Sequence, residues 1–578
     1  MKPKSMDHYL AKELSLGLID SPEYMTYIGI FDFLNPIIKH NSKLSVNTLE
    51  DSYDDYLDRK EYLEMVKSYA NDELTEIQKI TQKIAIFDSE NDIKSFEKFR
   101  YHSYPITQIG GSHQFMIDFM TDVHPIRNER EARDYIKRIS LFDQIMENQI
   151  IWLKEQAKQG IYAPTFVYEH VIRQLQDIIN TDSNPLITEF TKKIDDLDIS
   201  DDKKMFLSNQ LTDVINNEFE SAYSDLLAYM IENKDNANKN HGVWSLPNGD
   251  EYYALRLRIY TTTDYSAQEI HDIGKNEVER VSARMKVILN DLGYDPNRPV
   301  GLLMNDLNED PQFLYADTAD RKEIVVADYN AMVKEATEGI KEYFNRMPKA
   351  RVEVRAVPEH SEENQAGGYY RPPSLDGKRP GVFYANLYDI KQTPTYSMKA
   401  LTFHEANPGH HLQNALNQEN EDLTLYRKLG YGTSAFGEGW ALYSERLATE
   451  AGLTENPLDE LGVLQSELFR AVRLVVDTGI HYKRWTREEA MDYMKKMTGM
   501  SDTEVRAEIE RYIVWPGQAC SYKMGMIKIL ELREKAKTEL GDDFDIRDFH
   551  DIILNNGSPP LFILESIVDD WVIKTKST

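Results

Sequence analysis

Residues 404–411 read HEANPGHH, and this stretch decides how the rest of the sequence is interpreted. It nearly matches the pattern H-E-x-x-H, in which two histidines one helical turn apart bind zinc and the glutamate between them activates water. The position four residues after His404, where the second ligand is expected, holds Pro408, and the next histidine is His410. The interpretation depends on whether His410 can still reach the same metal.

The Pro408-Gly409 pair predicts a break in the helix at this point. In a regular helix His410 would point roughly 120° away from His404, and the two could not share a metal. Pro408 has no amide hydrogen for the carbonyl of His404, and Gly409 permits backbone angles that other residues avoid. A bulge of two residues would bring His410 to the place of a histidine one turn on. The alternative is that the pair only ends a helix and the histidines are surface residues.

A third metal ligand is expected from a second helix downstream, as in zinc peptidases with two histidines and a glutamate. Glu438 lies 34 residues after His404, and the glycine on each side of it gives the backbone room to approach a metal. Glu445 follows seven residues later on the same helical face. We select Glu438 as the ligand. Glu445 is interpreted either as a residue beside the ligands or as a solvated surface charge.

Composition and charge exclude several functions. The chain has 578 residues, 41% of them hydrophobic, and a net charge of −30, which repels nucleic acid and anionic membranes. A single cysteine, Cys520, rules out an intrachain disulfide, and no stretch has the apolar length of a signal peptide core or a membrane span. We therefore expect no nucleic-acid or membrane partner and a cytoplasmic location, unless a signal sequence has been removed.

Most of the chain shows the three- and four-residue apolar spacing of helices. Alternating apolar residues predict short strands at 252–263, 351–357 and 382–387, on the N-terminal side of the HEANPGHH stretch. The prediction is a mainly α protein with a small sheet near the site. Residues 1–240 form a purely helical N-terminal part and residues 241–578 the catalytic part, with a soft boundary within one continuous unit.

Several sequence blocks resemble a bacterial family of unknown function, DUF885, which is marked by the motif H-E-x-x-P-G-H. Besides 404–410, the similar blocks are 242–253, 261–263, 269–274, 438–443, 476–481, 511–512, 516–519 and 557–561. They occur in the family's order and cover the second half of the chain. The first half matches only loosely, around 104–105 and 110–111.

The resemblance implies a fold similar to the carboxypeptidase Taq family of zinc peptidases. That fold is a mainly helical, two-lobed, zincin-like (gluzincin) fold with a deep cleft and a small antiparallel sheet beside the site. One zinc ion would be held by His404, His410 and Glu438, with Glu405 as the catalytic base. His411 would lie next to the ligands without being one.

Other residues are candidates for supporting roles. A donor to the developing oxyanion is expected from Tyr522 or His481, and Asp477 could orient His481 at the i, i+4 spacing. Tyr384 and Asn386 lie on a predicted strand that would pair with the substrate backbone. A terminal carboxylate would need a cation, for which the candidates are Arg371, Arg473 and Arg511. For each of these residues, packing or a structural ion pair is the competing explanation.

The expected function is a zinc metallopeptidase, a carboxypeptidase or oligopeptidase, acting on peptide or small amide substrates. One alternative is a binding protein that keeps the fold but has lost turnover. Another is a hydrolase of non-peptide amides. Two histidines and a glutamate would also accept cobalt or manganese, and the sequence does not indicate the oligomeric state.

Overall fold

The structure, a computed structural model, describes residues 5–29, 34–181, 183–295, 297–358, 362, 367–375 and 379–577. The chain divides into two compact units. The first comprises Met1–Glu73 and Ala85–His241, and the second comprises Leu74–Ile84 and Gly242–Thr578. The prediction of a mainly helical protein with a small sheet is confirmed.

The first part of the chain is built from short and medium helices. They are α1 (Met6–Ile19), α2 (Pro22–Ile28), α3 (Asn35–Ile38), α4 (Leu49–Lys67), α5 (Glu76–Phe99), α6 (Ser112–Asp118), α7 (Glu129–Ile139), α8 (Phe142–Lys158), α9 (Thr165–Asn180), α10 (Pro185–Asp195), α11 (Asp201–Val214) and α12 (Glu220–Asn233). A two-residue hairpin, β1 (Ile106–Thr107) with β2 (Gly110–Gly111), interrupts them, so this part is not purely helical as predicted. Buried aromatic rings such as Phe142, Phe219 and Tyr223 pack at its centre.

The second unit contains longer helices and the sheet. Its helices are α13 (Gly249–Thr261), α14 (Ala267–Asp291), α15 (Val300–Glu309), α16 (Arg321–Gly339), α17 (Met398–Glu405), α18 (His410–Glu419), α19 (Ser434–Glu450), α20 (Pro457–His481), α21 (Arg487–Thr498), α22 (Asp502–Val514), α23 (Ser521–Leu540), α24 (Ile546–Leu554) and α25 (Leu561–Lys576). Its strands are β3 (Val352–Ala356), β4 (Gly368–Arg371) and β5 (Gly381–Ala385). None of the helices in the described part combines the length and apolar character needed to cross a bilayer.

The sheet is mixed, whereas an antiparallel sheet was expected. Strand β5 lies in the middle, parallel to β3 and antiparallel to β4. Its Phe383 packs with Met398 and Ala406 in one cluster, so this face of the sheet supports α17. The sheet thereby fixes the helix that carries His404.

The strand predicted at 252–263 is wrong, because this segment forms α13. The alternating residues Tyr253 and Leu257 also lie four apart, and Thr261 continues that spacing. All three are buried on one side of the helix, so the same residues satisfy both periods.

Candidate metal centre

The helix that contains His404 is interrupted where the Pro-Gly pair predicts. α17 ends at Glu405, and α18 begins at His410. The last bond of the first helix runs from Ala406 N–H to the Thr402 carbonyl (2.9 Å). Between the helices the chain turns within four residues, which changes the direction in which His410 projects.

Gly409 is required by a close backbone approach. A Cβ at this position would lie 2.0 Å from the carbonyl oxygen of His404 and 2.4 Å from that of Phe403. Any side chain would force the turn open. The glycine therefore lets the chain fold back tightly enough to return His410 towards His404.

Helix α19 stabilises this turn through one carbonyl group. The indole Nε1–H of Trp440 donates to the Pro408 carbonyl (2.9 Å), and the hydroxyl of Ser444 donates to the same oxygen (3.1 Å). Because α19 also carries Glu438, the turn and the third candidate ligand are fixed by the same helix.

The three candidate ligands converge. Among the described residues, His404, His410 and Glu438 form a group whose ligand atoms all lie within 4.8 Å of one another. Oε2 of Glu438 is 3.4 Å from Nε2 of His404 and 3.4 Å from Nε2 of His410. The two imidazole rings are nearly perpendicular, at 88°, with centroids 4.9 Å apart.

This geometry fits a divalent metal. Metal–ligand bonds of about 2.1 Å in a tetrahedral site place ligand atoms about 3.4 Å apart, which matches the two separations at Glu438. Oε2 of Glu438 is buried and has no hydrogen-bond partner among the described residues. A buried carboxylate oxygen without a partner is costly, and a cation between the three groups would satisfy it.

The carboxylate of Glu445 orients His404. Its Oε1 lies 2.8 Å from Nδ1 of His404, and the side chain is only 1% exposed. Glu445 is therefore a buried partner rather than a surface charge. A carboxylate that accepts the Nδ1 proton leaves the Nε2 lone pair facing Glu438, which is the arrangement found in metal-binding histidines.

The electrostatics of the site favour a positive charge between these groups. Burial disfavours the charged ring of His404, but its contacts with Glu438 and Glu445 outweigh burial and raise its pKa to about 10. Burial also opposes ionisation of Glu438, yet the adjacent His410 and His404 hold its pKa well below the usual range. The two carboxylates and the two rings thus stabilise positive charge in the region where a metal cation would bind.

Glu405 has the environment of a proton acceptor. The residue is buried, and burial raises the pKa of its carboxyl, while the nearby histidines and Arg470 oppose the shift. No hydrogen bond from another described residue reaches this carboxylate. It is therefore available to a water molecule or a substrate.

His411 lies beside the group and is engaged elsewhere. Its Nε2–H donates to the Ala350 carbonyl (3.0 Å), and its Nδ1 accepts from the hydroxyl of Tyr370 (2.9 Å). Burial lowers its pKa to about 4. The ring of Tyr370 stacks beside that of His410 at 6.4 Å, so this pair of contacts connects β4 to the start of α18.

Helices α19 and α23 approach each other directly after Glu438. A Cβ on Gly439 would lie 2.5 Å from the Cα of Gly525, and a Cβ on Gly525 would lie 2.0 Å from the Ala435 carbonyl. Gly439 therefore serves helix packing, whereas the sequence suggested that it gave the backbone room to approach the metal. Tyr522 lies one turn before Gly525, at the start of α23.

The predicted cations Arg473 and Arg511 share one glutamate. Nη2 of Arg473 donates to Glu508 Oε2 (3.0 Å), and Nη1 of Arg511 lies 3.4 Å from Glu508 Oε1. The guanidinium of Arg473 also covers the Tyr522 ring at 4.4 Å, and the Tyr522 hydroxyl is 3.4 Å from Arg511 Nη2. These arginines are thus held by groups of the protein itself.

His481 and Asp477 are bonded within the interior and do not contact each other through hydrogen bonds. His481 accepts from the Val243 N–H at Nδ1 (3.1 Å) and donates from Nε2 to the Tyr512 carbonyl (2.9 Å). Asp477 accepts from the Tyr253 hydroxyl (2.6 Å) and the Gly517 N–H (3.1 Å). The structure does not bring either residue together with the histidine–glutamate group.

The sheet residues predicted to bind the substrate have partners within the protein. β5 is paired on both sides, so it has no free edge for a substrate. Tyr384 stacks on Tyr369 at 4.8 Å, and Arg371 lies over Tyr384 at 5.2 Å, on the face opposite Phe383 and α17. The amide of Asn386 donates to the carbonyl of Glu362 (2.7 Å), which lies between β3 and β4.

Comparison with known proteins identifies the family. The model of a family described as a bacterial protein of unknown function (DUF885) matches residues 22–568. The chain belongs to the DUF885 family. The membership expected from the sequence blocks is confirmed. A search of curated proteins found no match.

Solved structures of this fold exist. A "putative lipoprotein" from Colwellia psychrerythraea agrees with a TM-score of 0.91 and 33% identity, over 99% of this chain and 100% of that chain. A "putative lipoprotein of unknown function" from Shewanella oneidensis agrees with a TM-score of 0.74 and 18% identity, over 97% and 98% of the two chains, which shows a shared fold alone. A structure of PZ peptidase A with an inhibitor has a TM-score of 0.29 at 12% identity, over 93% and 98%, and supports no argument.

These relatives overturn one expectation. Both of the first two structures are described as lipoproteins, so the prediction of a cytoplasmic location for this family member is wrong. A lone cysteine is compatible with a location inside or outside the cytoplasm, which is why the sequence did not reveal the difference.

Sequence reasoning missed Arg470, and it also missed the hydrogen bond that Trp440 donates to the Pro408 carbonyl. Arg470 lies three residues before Arg473, on α20, outside the blocks used for the resemblance. Its charge acts on both His404 and Glu405 and opposes the rise in the pKa of each. No local pattern marks it, because its importance depends on what it faces in the folded protein.

Proposed function

We propose that this protein is a metal-dependent hydrolase that cleaves peptide or other amide bonds. The observation that carries the proposal is the convergence of His404, His410 and Glu438, with ligand atoms within 4.8 Å of one another, beside a buried Glu405 that no other described residue bonds. This donor set is that of catalytic zinc sites with two histidines and a glutamate.

Each residue has a distinct role in the proposal. His404, His410 and Glu438 would hold the ion, and Glu445 keeps His404 in the tautomer that presents Nε2. A zinc ion, when bound, supplies Lewis acidity that polarises a carbonyl and lowers the pKa of water. Glu405 accepts the proton of the attacking water and returns it to the departing amine. Burial around Glu405 excludes bulk water from this exchange.

Tyr522 remains the proposed donor to the developing oxyanion. It lies on α23 one turn from the Gly439 contact, and its hydroxyl is near Arg511. An adjacent guanidinium stabilises negative charge close to the phenol, which suits a group that must donate to an oxyanion.

The test combines metal content with turnover. We expect purified protein to contain one zinc per chain and to cleave members of a randomised peptide library, measured by mass spectrometry. Glu405→Gln should keep the metal and lose activity by at least about 100-fold. Glu342→Gln, at an exposed glutamate, is the matched control and should keep both.

The outcomes separate the alternatives. Stoichiometric metal without cleavage of any peptide would favour a binding protein or a hydrolase of non-peptide amides, and acyl anilides would then distinguish these two. Wild-type activity in Glu405→Gln would remove this residue from the mechanism.

Because two relatives are described as lipoproteins, we also propose that the protein acts outside the cytoplasm.

A further inference from the structure

Arg470 is a half-buried cation that forms no salt bridge with a carboxylate of the described residues. Its Nη1 donates only to Ser466, to the hydroxyl at 2.6 Å and the carbonyl at 3.4 Å. Its Nε is buried and has no partner in the described part of the chain. A guanidinium has five N–H donors, so most of the hydrogen-bonding capacity of Arg470 is unused.

The position of Arg470 places it beside the candidate metal centre. Val463 on α20 packs in one cluster with Ala400 and Phe403 of α17. Arg470 lies seven residues after Val463, which is two turns along the same helical face, or about 10 Å. Gly462 contacts the Tyr396 carbonyl near the start of α17, so moving along α20 from residue 462 to 470 follows α17 towards its end at Glu405.

Arg470 also lies close to Tyr522, the proposed oxyanion donor. The guanidinium of Arg470 lies 6.0 Å from the centre of the Tyr522 ring, and that of Arg473 lies 4.4 Å from it. Two cations thus approach one phenol. Arg473 is held by Glu508, which it shares with Arg511, and Arg470 is the one left without a counter-ion among the three.

We propose that Arg470 binds the free carboxylate of the substrate's last residue and so makes the protein a carboxypeptidase. The inference rests on the proposed hydrolase function. A guanidinium matches a carboxylate with two parallel N–H donors. This chain carries a net charge of −30 and so has a surplus of carboxylates. Arg470 nevertheless has no salt-bridge partner among the described residues, although three glutamates belong to the site. This indicates a ligand that supplies the carboxylate.

The reaction that follows removes one residue at a time. Water adds across the last peptide bond: its hydroxyl joins the carbonyl carbon, the carbon–nitrogen bond breaks, and the proton held by Glu405 passes to the departing nitrogen. The products are a shortened peptide and a free amino acid, whose carboxylate stays on Arg470 until release.

The experiment compares two forms of the same peptide library, one with free C-termini and one with amidated C-termini. Wild-type protein should cleave the free form and release single residues from its end. Arg470→Gln should lose roughly 10- to 100-fold in kcat/KM on the free form, the value of a charged hydrogen bond, with the loss mainly in KM. Arg284→Gln, at an exposed arginine paired with Glu460, is the matched control.

A binding measurement provides a second readout. In a Glu405→Gln background, the best-cleaved peptide should bind more tightly as the free acid than as the amide by calorimetry, and adding Arg470→Gln should abolish the difference. Arg470→Lys should restore part of it, which distinguishes loss of the charge from misfolding.

The results separate this inference from the function on which it rests. Equal cleavage of the free and amidated libraries by wild type, or an equal loss on both in Arg470→Gln, would refute the role of Arg470 and leave the hydrolase intact. Failure to cleave either library would refute peptidase activity and this inference with it, and the acyl anilides would then test the remaining hydrolase activity.

Discussion

Replacing Gly439 with alanine tests whether the contact between α19 and α23 holds Glu438 in place. A Cβ at residue 439 would lie 2.5 Å from the Cα and the carbonyl carbon of Gly525 and 2.9 Å from the backbone nitrogen of Met526. Carbon atoms in contact require about 3.5–4.0 Å, so the two helices must separate by roughly 1 Å. Backbone shifts forced by overpacking cost about 1–3 kcal/mol.

Gly437 provides the matched control because it lies on the other side of Glu438. A Cβ at this position would meet nothing within 4 Å. Both substitutions gain the same helix propensity, about 0.5–1 kcal/mol over glycine. The difference in unfolding free energy between Gly437→Ala and Gly439→Ala therefore reports the cost of the contact alone.

The assays are urea unfolding and competition for zinc with a chromophoric chelator. We expect Gly437→Ala to unfold at or above the wild-type urea concentration with unchanged zinc affinity. Gly439→Ala should unfold earlier and bind zinc more weakly, since Glu438 shares its helical turn. Equal unfolding midpoints for the two variants would show that the close approach imposes no constraint. Early unfolding with wild-type zinc affinity would show that it does not position Glu438.

Two further predictions concern buried carboxylates. Glu445→Ala removes the acceptor from Nδ1 of His404 and should weaken zinc binding about 10- to 100-fold in the same competition assay. Asp477 should make stability depend on pH, because burial raises its folded pKa from 3.8 to about 7 although Tyr253 and Gly517 donate to it. The folded state then holds the proton more tightly, so the free energy of unfolding of wild type should fall relative to Asp477→Asn by roughly 2–4 kcal/mol as pH rises from 4 to 7. A difference that does not vary over that range in urea unfolding would contradict this assignment.

The sequence predicted the parts of the site that depend on local chemistry. Pro408 and Gly409 interrupt a helix wherever they occur together, so the return of His410 towards His404 could be argued from backbone properties alone. Glu438 could be selected by its distance along the chain. The packing role of Gly439 could not be predicted, because its contact is with Gly525, a residue 86 positions away along the chain.

The parts that were not predicted depend on tertiary arrangement. β5 lies in the middle of the sheet, so Tyr384 and Asn386 are not on an edge that could bind a substrate. The sequence of a strand does not show which strands will lie beside it. Tyr253 and Leu257 fit both the two-residue repeat of a strand and the four-residue spacing of a helix. Which of the two forms was decided by the side of the segment that packs in the core. Whether an arginine is free is likewise a property of its neighbours, and Arg470 could not be distinguished from Arg473 by sequence.

Helix α19 makes the formation of the candidate metal centre depend on its own docking. Within eight residues it supplies Glu438, the two donors Trp440 and Ser444 that hold the Pro408 carbonyl, and Glu445, which orients His404. A folding intermediate in which α17 and α18 have formed but α19 has not docked would have two histidines on an unsupported turn and no third ligand. The rate at which a refolding chain acquires high zinc affinity should therefore report the docking of this one helix.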